Sequence, residues 1–561
     1  MRQLFYYLPF FLLLIIPTEQ VFPNVRAKHA MVVSGNQKAT EAGIEILKRG
    51  GNAIDAAVAV GYALAVTFPE AGNIGGGGFA LIRKKDGTSY VVDFRETAPK
   101  RSTSTMYLDN EGKTTDKSVN GQLSAGVPGT VAGFAKMIEL GGKMNMSDVI
   151  APAIRLAEEG VIVDRHLESN LEDYKNDLLK YPSTAKLYSK QGEILKEGDT
   201  LRLPELAETL RRIQEQGTDG FYKGTTARLI VEEMKRNGGI ISEEDLSEYS
   251  VIVRKPIKGM YRGYEVLSCP PPSAGGITLL QMLGMMEQFT FEPSDFHSSR
   301  TIHLMIEAMK HAYADRYEYA SDPGFVHVPV DSLLSAPYLN NLKTEIDTTH
   351  ATPAKEVRHE KIEIEEGNNT THFVVADEEG NIVSVTYTLN DLFGSKVIVS
   401  GAGFFLNDEM DDFATKPGSP NIYGLPGTEK NIIAPGKRPV SSMTPTIVLK
   451  DNVPFLALGA RGGPRIITAV FQVMMNVIDF KMDIERAVNE RRFHHQLFPD
   501  TLKCEEYCLP NDVITNLEQR GQNVRQGKIK LAAIEALYRD PKTGWFYSGE
   551  DRREGGFGAG Y

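Results

Sequence analysis

Two threonines in succession, Thr370 and Thr371, stand where a polar, glutamate-rich stretch (Glu363, Glu365, Glu366, Gly367) gives way to the apolar run Phe373-Val374-Val375-Ala376. A threonine hydroxyl inside a chain is a poor nucleophile. If the Asn369-Thr370 bond is cut, the freed α-amine lies beside that hydroxyl as a general base, and such amines titrate near pH ~8, close to working pH. The dipeptide alone is weak evidence, because β-branched residues also favour strands. Other reactive types lie elsewhere. Asp408, Glu409, Asp411 and Asp412 crowd one short loop, which reads as a solvated acidic turn, a calcium loop or an acceptor for a ligand cation; the Asp-x-Asp-x-Asp-Gly spacing of a calcium loop is missing. Ser441-Ser442 is the kind of pair that ordinarily caps or turns. Arg95 leaves a strand, where an arginine is usually solvated or salt-bridged. Gly462 and Gly463 lie in a turn between a strand and a helix, where exposed backbone N–H groups can form an oxyanion hole.

The elements that must position these groups follow from pattern. Thr370 to Ala376, a turn through Asp377-Glu378-Glu379-Gly380-Asn381, and Ile382 to Asn390 read as a β-hairpin. If Ala376 pairs with Ile382, Thr388 lies opposite Thr370 and Asn390 comes near it; a one-residue slip would turn Thr388 to the other face. Ala39–Lys48 reads as an amphipathic helix closed by Gly50-Gly51, and 52–66 as a buried helix with Asp55 inside it and Pro69 after it. Gly75–Gly78 lacks the Gly-Lys-Ser/Thr of a phosphate loop, so it reads as a tight turn into the strand Phe79–Arg83. Val91–Phe94 is a strand, Pro270–Gly276 a rigid bend before a helix, and Thr301–Tyr317 a core-facing helix. The segment 332–369 reads as a polar linker able to move once cut, and Pro417–Leu425 as a surface loop.

Composition bounds the answer. The chain has 561 residues, 41% hydrophobic and 24% charged, ordinary for a globular protein, and no linker divides it into separate domains. A net charge of −11 argues against a nucleic-acid partner. Arg2 followed by the apolar run Leu4–Ile16 and by Pro17 reads as a secretory leader with a possible cut after Ala27, or as an uncleaved anchor, although the run is shorter than the ~17 to 25 residues of a spanning helix. This implies an exported protein, periplasmic or secreted. Three cysteines give no disulfide framework, though Cys504 and Cys508 are spaced so that a bridge is open. The histidines show no metal-ligand spacing; the adjacent pair His494-His495 tends to diverge, so no metal is expected.

The stretch TTHFVVADEEGNIVSVTYTLN from Thr370 to Asn390 resembles the start of the small subunit of γ-glutamyltranspeptidases, also called glutathione hydrolases. The resemblance continues through GNIGGGGFALI, through Asp-x-Arg-Glu-x-Ala-Pro at 93–99, and through the architectural segments Gly126–Thr130 and 151–157. It goes on through Asn-x-Glu-Met-Asp-Asp-Phe at 407–413, Arg-Pro-x-Ser-Ser-Met-x-Pro at 438–445, Gly462-Gly463 and the landmark Arg492–Gln496. It implies an αββα four-layer sandwich of the N-terminal nucleophile hydrolase type, autoprocessed into two subunits. The expected division is a leader at 1–27, a large subunit at 28–369 and a small catalytic subunit at 370–561, the two subunits forming a heterodimer. Catalysis falls to Thr370, Thr388, Gly462 and Gly463. The resemblance sets Arg95, Ser441 and Ser442 at the α-carboxylate of a γ-glutamyl donor, Asn390, Glu409 and Asp412 at its α-ammonium, and Tyr423 in a lid over it. These assignments suit a fork of donors facing a carboxylate and carboxylates facing a cation.

No cofactor is implied. The donors implied are glutathione and related γ-glutamyl compounds, with water, an amino acid or a dipeptide as acceptor. A related acylase or poly-γ-glutamate processing enzyme would share the nucleophile and glycines without needing the amino-acid clamp. Departures cluster at the end: Lys530–Leu537 replaces a more usual Gly-x-Val-Gln-Ala-Ile-type strand, and 551–561 only partly matches the common Asp-Pro-Arg ending. Both are expected to touch strand packing rather than the pocket.

Overall fold

The computed structural model describes residues 25–357 and 370–561. The apolar run Leu4–Ile16 and the Glu363–Asn369 stretch lie outside them. Two seven-stranded sheets dominate. One runs, edge to edge, through Phe557–Gly560, Met31–Ser34, Thr371–Ala376, Ile382–Thr388, Gly77–Arg83, Ser89–Asp93 and Ile252–Arg254. The other runs through Arg26–Ala27, Phe546–Glu550, Ala533–Arg539, Val453–Arg461, Thr446–Lys450, Tyr264–Ser268 and Ile257–Tyr261.

Strand alternation builds the layers. Met31, Val33, Phe79, Leu81, Val374 and Ala376 pack between the sheets against Leu267, Ile447, Leu449, Ala457 and Leu537. Their strand neighbours Val32, Ala80, Ile82, Phe373 and Val375 face outward onto the helices Gln37–Lys48 and Ala53–Thr67. On the far side Val448, Leu456, Leu458 and Ile534 meet the helices Gly275–Met286, Ser299–Tyr319 and Arg465–Ile478. Helix, sheet, sheet, helix is the expected four-layer order. Because both faces of the central strands are covered, they read as continuous apolar runs.

The buried helix carries its one acid without penalty. Asn52 caps it and Asp55 reciprocates to the Asn52 N–H at 2.8 Å, while also accepting from the Lys143 and Met144 N–H groups. Gly76 is needed for close approach: a Cβ there would lie 2.0 Å from the Thr388 carbonyl oxygen, so the glycine run lets one strand entry slide under the end of the hairpin.

Three expectations need restating. The expected linker from Ser332 is folded as far as Val357: Val330–Leu333, Ala336–Glu345 and Ala354–Val357 are short helices that bury Leu333, Leu342, Ile346 and Ala354. Leu342 and Ile346 lie one turn apart, but Leu333 and Ala354 belong to separate short helices, so no period runs through the segment and it reads as polar while tertiary contacts hold it. Cys504 and Cys508 are buried free thiols rather than a disulfide. Ala27, the boundary expected for the leader, is buried and pairs with Phe546, so a cut after it would remove a paired residue of the second sheet. Among the described residues no helix is long and apolar enough to cross a membrane.

Candidate active site

The hairpin register pairs Thr371 with Tyr387 and Ala376 with Ile382, and continuing the count by one residue sets Thr370 against Thr388, as the spacing predicted. Thr370 has the parity of Val374, whose side chain lies between the sheets, so its hydroxyl opens where the two sheets part. Thr370 and Thr388 are both buried. Thr388 Oγ1 accepts the Asn390 N–H at 2.9 Å and donates to the Asn390 carbonyl at 3.5 Å. Asn390 adopts φ 82, a left-handed conformation that asparagine tolerates, and its Nδ2 donates to the Asp408 carbonyl at 3.1 Å.

The glycine turn sits across from the hairpin end. Gly462 and Gly463 take φ 132 and 57 between the strand Val453–Arg461 and the helix Arg465–Ile478. Their carbonyls accept from Arg465 and Ile466 to start that helix, while among the described residues their own N–H groups donate no hydrogen bond. A side chain at Gly463 would come within 2.7 Å of the Tyr423 ring. Tyr423 in turn donates its hydroxyl to the Asn390 carbonyl at 2.7 Å, so the 417–425 loop closes onto the hairpin end. Asp411 pins that loop from below, accepting from Ile422 N–H at 2.9 Å and Ser118 Oγ at 2.7 Å.

Charge is concentrated on the opposite wall. Arg95, fully buried, donates through Nη1 to Glu409 Oε1, through Nη2 to Asp412 Oδ2 at 2.5 Å, and to the carbonyls of Val440 and Pro439. Burial would lower its pKa, but Glu409, Asp412 and Glu96 outweigh burial and raise it. The carboxyls are pushed the other way: burial, opposed by Arg95, raises Glu409 well above its ordinary range, raises Asp412, and lifts Glu96 to about 7. Asn421 Nδ2 donates to Asp412 Oδ1 at 3.1 Å, tying the loop to the charged wall. Ser441 Oγ accepts the Met443 N–H at 3.1 Å, and Ser442 Oγ accepts Arg316 Nη2 at 2.8 Å.

One small cleft is lined by Thr370, Thr388, Asn390, Gly463, Tyr423, Arg95, Glu409, Asp412, Ser441 and Ser442. Every residue to which the resemblance gives a catalytic or donor-binding role lines it except Gly462, which precedes Gly463 in the turn. Two residues were not anticipated. Arg316 lines the cleft from the Ser299–Tyr319 helix, and nothing in its local sequence distinguishes it from an ordinary helix-end arginine. Glu96 stands 3.6 Å from Arg95 Nη1, its carboxyl also interacting with Glu409; its place next to Arg95 was the available signal. His494 and His495 turn to different partners, Thr468 and Asp500.

Comparison with known proteins agrees with this geometry. A family model described as gamma-glutamyltranspeptidase matches residues 39–561. The glutathione hydrolase proenzyme of Escherichia coli (strain K12) is 47% identical over 537 residues, covering 95% of this chain and 92% of that one. Among solved structures, cephalosporin acylase from Bacillus halodurans superposes with a TM-score of 0.84 at 29% identity, covering 98% of this chain and 99% of the other. The Helicobacter pylori gamma-glutamyltranspeptidase superposes with a TM-score of 0.56 at 45% identity, covering 57% of this chain and 92% of that one. A hairpin end carrying Thr370, a glycine turn and a two-signed charged wall in one cleft, together with a match across nearly the whole length, make this chain a member of the gamma-glutamyltranspeptidase family.

Proposed function

We propose that the chain is a γ-glutamyltransferase and glutathione hydrolase that matures by cutting itself between Asn369 and Thr370 into a large subunit ending at Asn369 and a small one at 370–561. The observation that carries the reading is the cleft that joins Thr370 to a wall bearing both Arg95 and the Glu409–Asp412 pair. A free γ-glutamyl group presents a carboxylate and an ammonium on one carbon, and that wall offers a partner of each sign.

In maturation the Thr370 hydroxyl adds to the Asn369 carbonyl, the amide nitrogen leaves as the α-amine of Thr370, and water hydrolyses the resulting ester. In turnover the Thr370 oxygen adds to the donor γ-carbonyl while the α-amine takes its proton. The Gly462 and Gly463 N–H groups face the developing oxyanion, and Thr388 steadies the nucleophile. Collapse gives a γ-glutamyl ester on Thr370 and releases the leaving amine with the proton. Water then yields glutamate, or an amino acid or dipeptide yields a new γ-glutamyl amide. Arg95, Ser441 and Ser442 hold the α-carboxylate; Asn390, Glu409 and Asp412 hold the α-ammonium; Tyr423 closes the lid. The leader implies export of the enzyme to the periplasm or medium.

The close superposition with a cephalosporin acylase favours a second reading, hydrolysis of acyl amides lacking the α-ammonium. Purified chain separates the two readings. The expected result is two fragments on a denaturing gel, the smaller beginning with Thr370, and release of nitroaniline from γ-glutamyl p-nitroanilide far faster than from glutaryl p-nitroanilide. Equal or reversed preference moves the assignment to the acylase, and a chain that stays whole in every condition removes the mechanism.

A further inference from the structure

Arg316 belongs to the Ser299–Tyr319 helix, yet its guanidinium reaches the wall that carries Arg95. It is buried, its guanidinium lies over the Tyr317 ring with 5.9 Å to the centroid, and among the described residues the one side chain it hydrogen-bonds is Ser442, whose Oγ accepts from Nη2 at 2.8 Å. Its Nε is buried with no partner among the described residues. An arginine held this way has not been placed to neutralise a single carboxylate. Its charge does reach Asp412, where it works against the rise in pKa that burial imposes.

The consequence lies in the hydroxyl. A serine offers one proton and two lone pairs. When a guanidinium donates to one lone pair, the remaining proton is free to turn toward a different acceptor. Ser441 is set the same way by the Met443 N–H. The two neighbouring hydroxyls are therefore both held as donors, one by the backbone and one by Arg316, and two O–H donors beside Arg95 suit a carboxylate, which only accepts.

We propose that Arg316 is a positioning residue for the donor: it holds the Ser442 hydroxyl proton toward the α-carboxylate and adds a second guanidinium at that end of the cleft. This rests on the reading of Ser442 as a carboxylate partner. Like Arg95, Arg316 lies ahead of Thr370 while Ser442 lies after it, so this contact adds to the dependence of donor affinity on the two fragments staying in register after the cut.

The test uses the matured enzyme with Arg316→Met, Arg316→Lys, Ser442→Ala and the Arg316→Met/Ser442→Ala double variant. The donors are γ-glutamyl p-nitroanilide and 4-aminobutyryl p-nitroanilide, which keeps the amine and lacks the α-carboxylate. Arg316→Met should raise KM for the γ-glutamyl donor ~10- to 100-fold with kcat within about threefold, as for loss of a charge-assisted hydrogen bond. Arg316→Lys should restore part of that, and kcat/KM for the 4-aminobutyryl donor should move less than about twofold. On the Ser442→Ala background the same change should add less than about threefold, since the residue it acts through is gone.

Equal losses on both donors, or losses that multiply fully in the double variant, overturn the proposal in favour of a structural plug. If Arg316→Met yields no cut, soluble enzyme, the lysine variant decides on the same donor contrast. If Ser442→Ala raises KM while both Arg316 variants leave it unchanged, this inference falls and the donor site stands; if Ser442→Ala leaves KM unchanged, both fall.

Discussion

The two walls of the cleft are made in opposite ways. At the Thr370 wall, position is set by backbone: strand register, the left-handed Asn390, and a turn whose glycines take φ 132 and 57. At the Arg95 wall it is set by side-chain charge, with Arg95 held between Glu409 and Asp412 and with Glu96 and Arg316 close by. In the proposed mechanism the first wall performs one reaction geometry twice, on the chain itself and on the donor. Its parts are fixed before any ligand arrives, as electrostatic preorganisation requires. In that mechanism the second has no part in self-cleavage, where the scissile bond is already held covalently, and serves to choose the donor. Substitutions should therefore separate maturation from recognition according to the wall they touch.

The largest effect should come from Thr370→Ala. Both fragment formation and turnover should vanish, because one hydroxyl serves both; a variant that still cuts itself would detach maturation from the nucleophile. Next, Asp412→Ala should leave cleavage largely intact while kcat/KM for a γ-glutamyl anilide falls by roughly 30-fold to several thousand-fold, the ~2 to 5 kcal/mol typical of removing one partner of a desolvated pair. The loss should be smaller for glutaryl p-nitroanilide, which lacks the ammonium. An Asp412→Ala enzyme unimpaired on the normal donor would dissolve the contrast between the walls.

How legible each wall was in the sequence follows from the same difference. The Thr370 wall is local. Antiparallel pairing across one turn length set Thr388 opposite Thr370, and the structure keeps that register. The layered sandwich was legible through resemblance, since strands buried on both faces carry no polar alternation to give their orientation. The Arg95 wall is assembled from segments 314 and 317 residues apart, so the pairing of Arg95 with Glu409 and Asp412 had no local signature. Arg316 reaches Ser442 across 126 residues from a helix whose pattern declares only its apolar face. The helices of 330–357 were hidden for another reason: Val330–Leu333 and Ala354–Val357 are too short to show a period, Ala336–Glu345 spans only ten residues in a polar stretch, and packing supplies their stability.

The backbone-defined wall is not free of charge behind its surface. The strand Ala533–Arg539 packs across Thr371–Ala376, and Glu535 on it is fully buried. Burial, opposed by Arg461, lifts its carboxyl to about 8, with Asp551 and Glu554 adding to the rise and Arg492 opposing it. A carboxyl whose pKa is higher folded than unfolded binds its proton better in the native state. Its contribution is thus fully present below the ordinary value of 4.5 and is lost as pH rises toward 8. Aligned with the more usual Gly-x-Val-Gln-Ala-Ile strand, Glu535 stands at the glutamine. Glu535→Gln should flatten the fall in stability between pH 5 and 8 and leave the protein ~2 to 4 kcal/mol more stable than the parent near pH 9. Denaturation midpoints across that range on the uncut Thr370→Ala chain measure this. An unchanged pH slope would mean that Arg461 keeps Glu535 ionised.

The smallest effect probes backbone strain directly. In the same alignment Ala532 stands at the pattern's glycine, and it adopts φ 67, a conformation in which a Cβ crowds the following carbonyl. Two things hold it there: its methyl is buried in the outer core, and Arg492 Nη1 donates to the Ala532 carbonyl at 3.0 Å and to that of Leu531 at 3.3 Å. Replacing it with glycine removes a strain of ~1 to 2 kcal/mol but gives up a buried methyl and loosens the unfolded chain, so the net gain should be only ~0.5 kcal/mol. On the uncut background, the denaturation midpoint should move up slightly at unchanged slope. In the matured enzyme kcat/KM should stay constant, because Ala532 does not line the cleft. A loss of ~1 kcal/mol or more would show that methyl packing outweighs the left-handed strain, and that this strand entry is held by its core contacts and not by its backbone conformation.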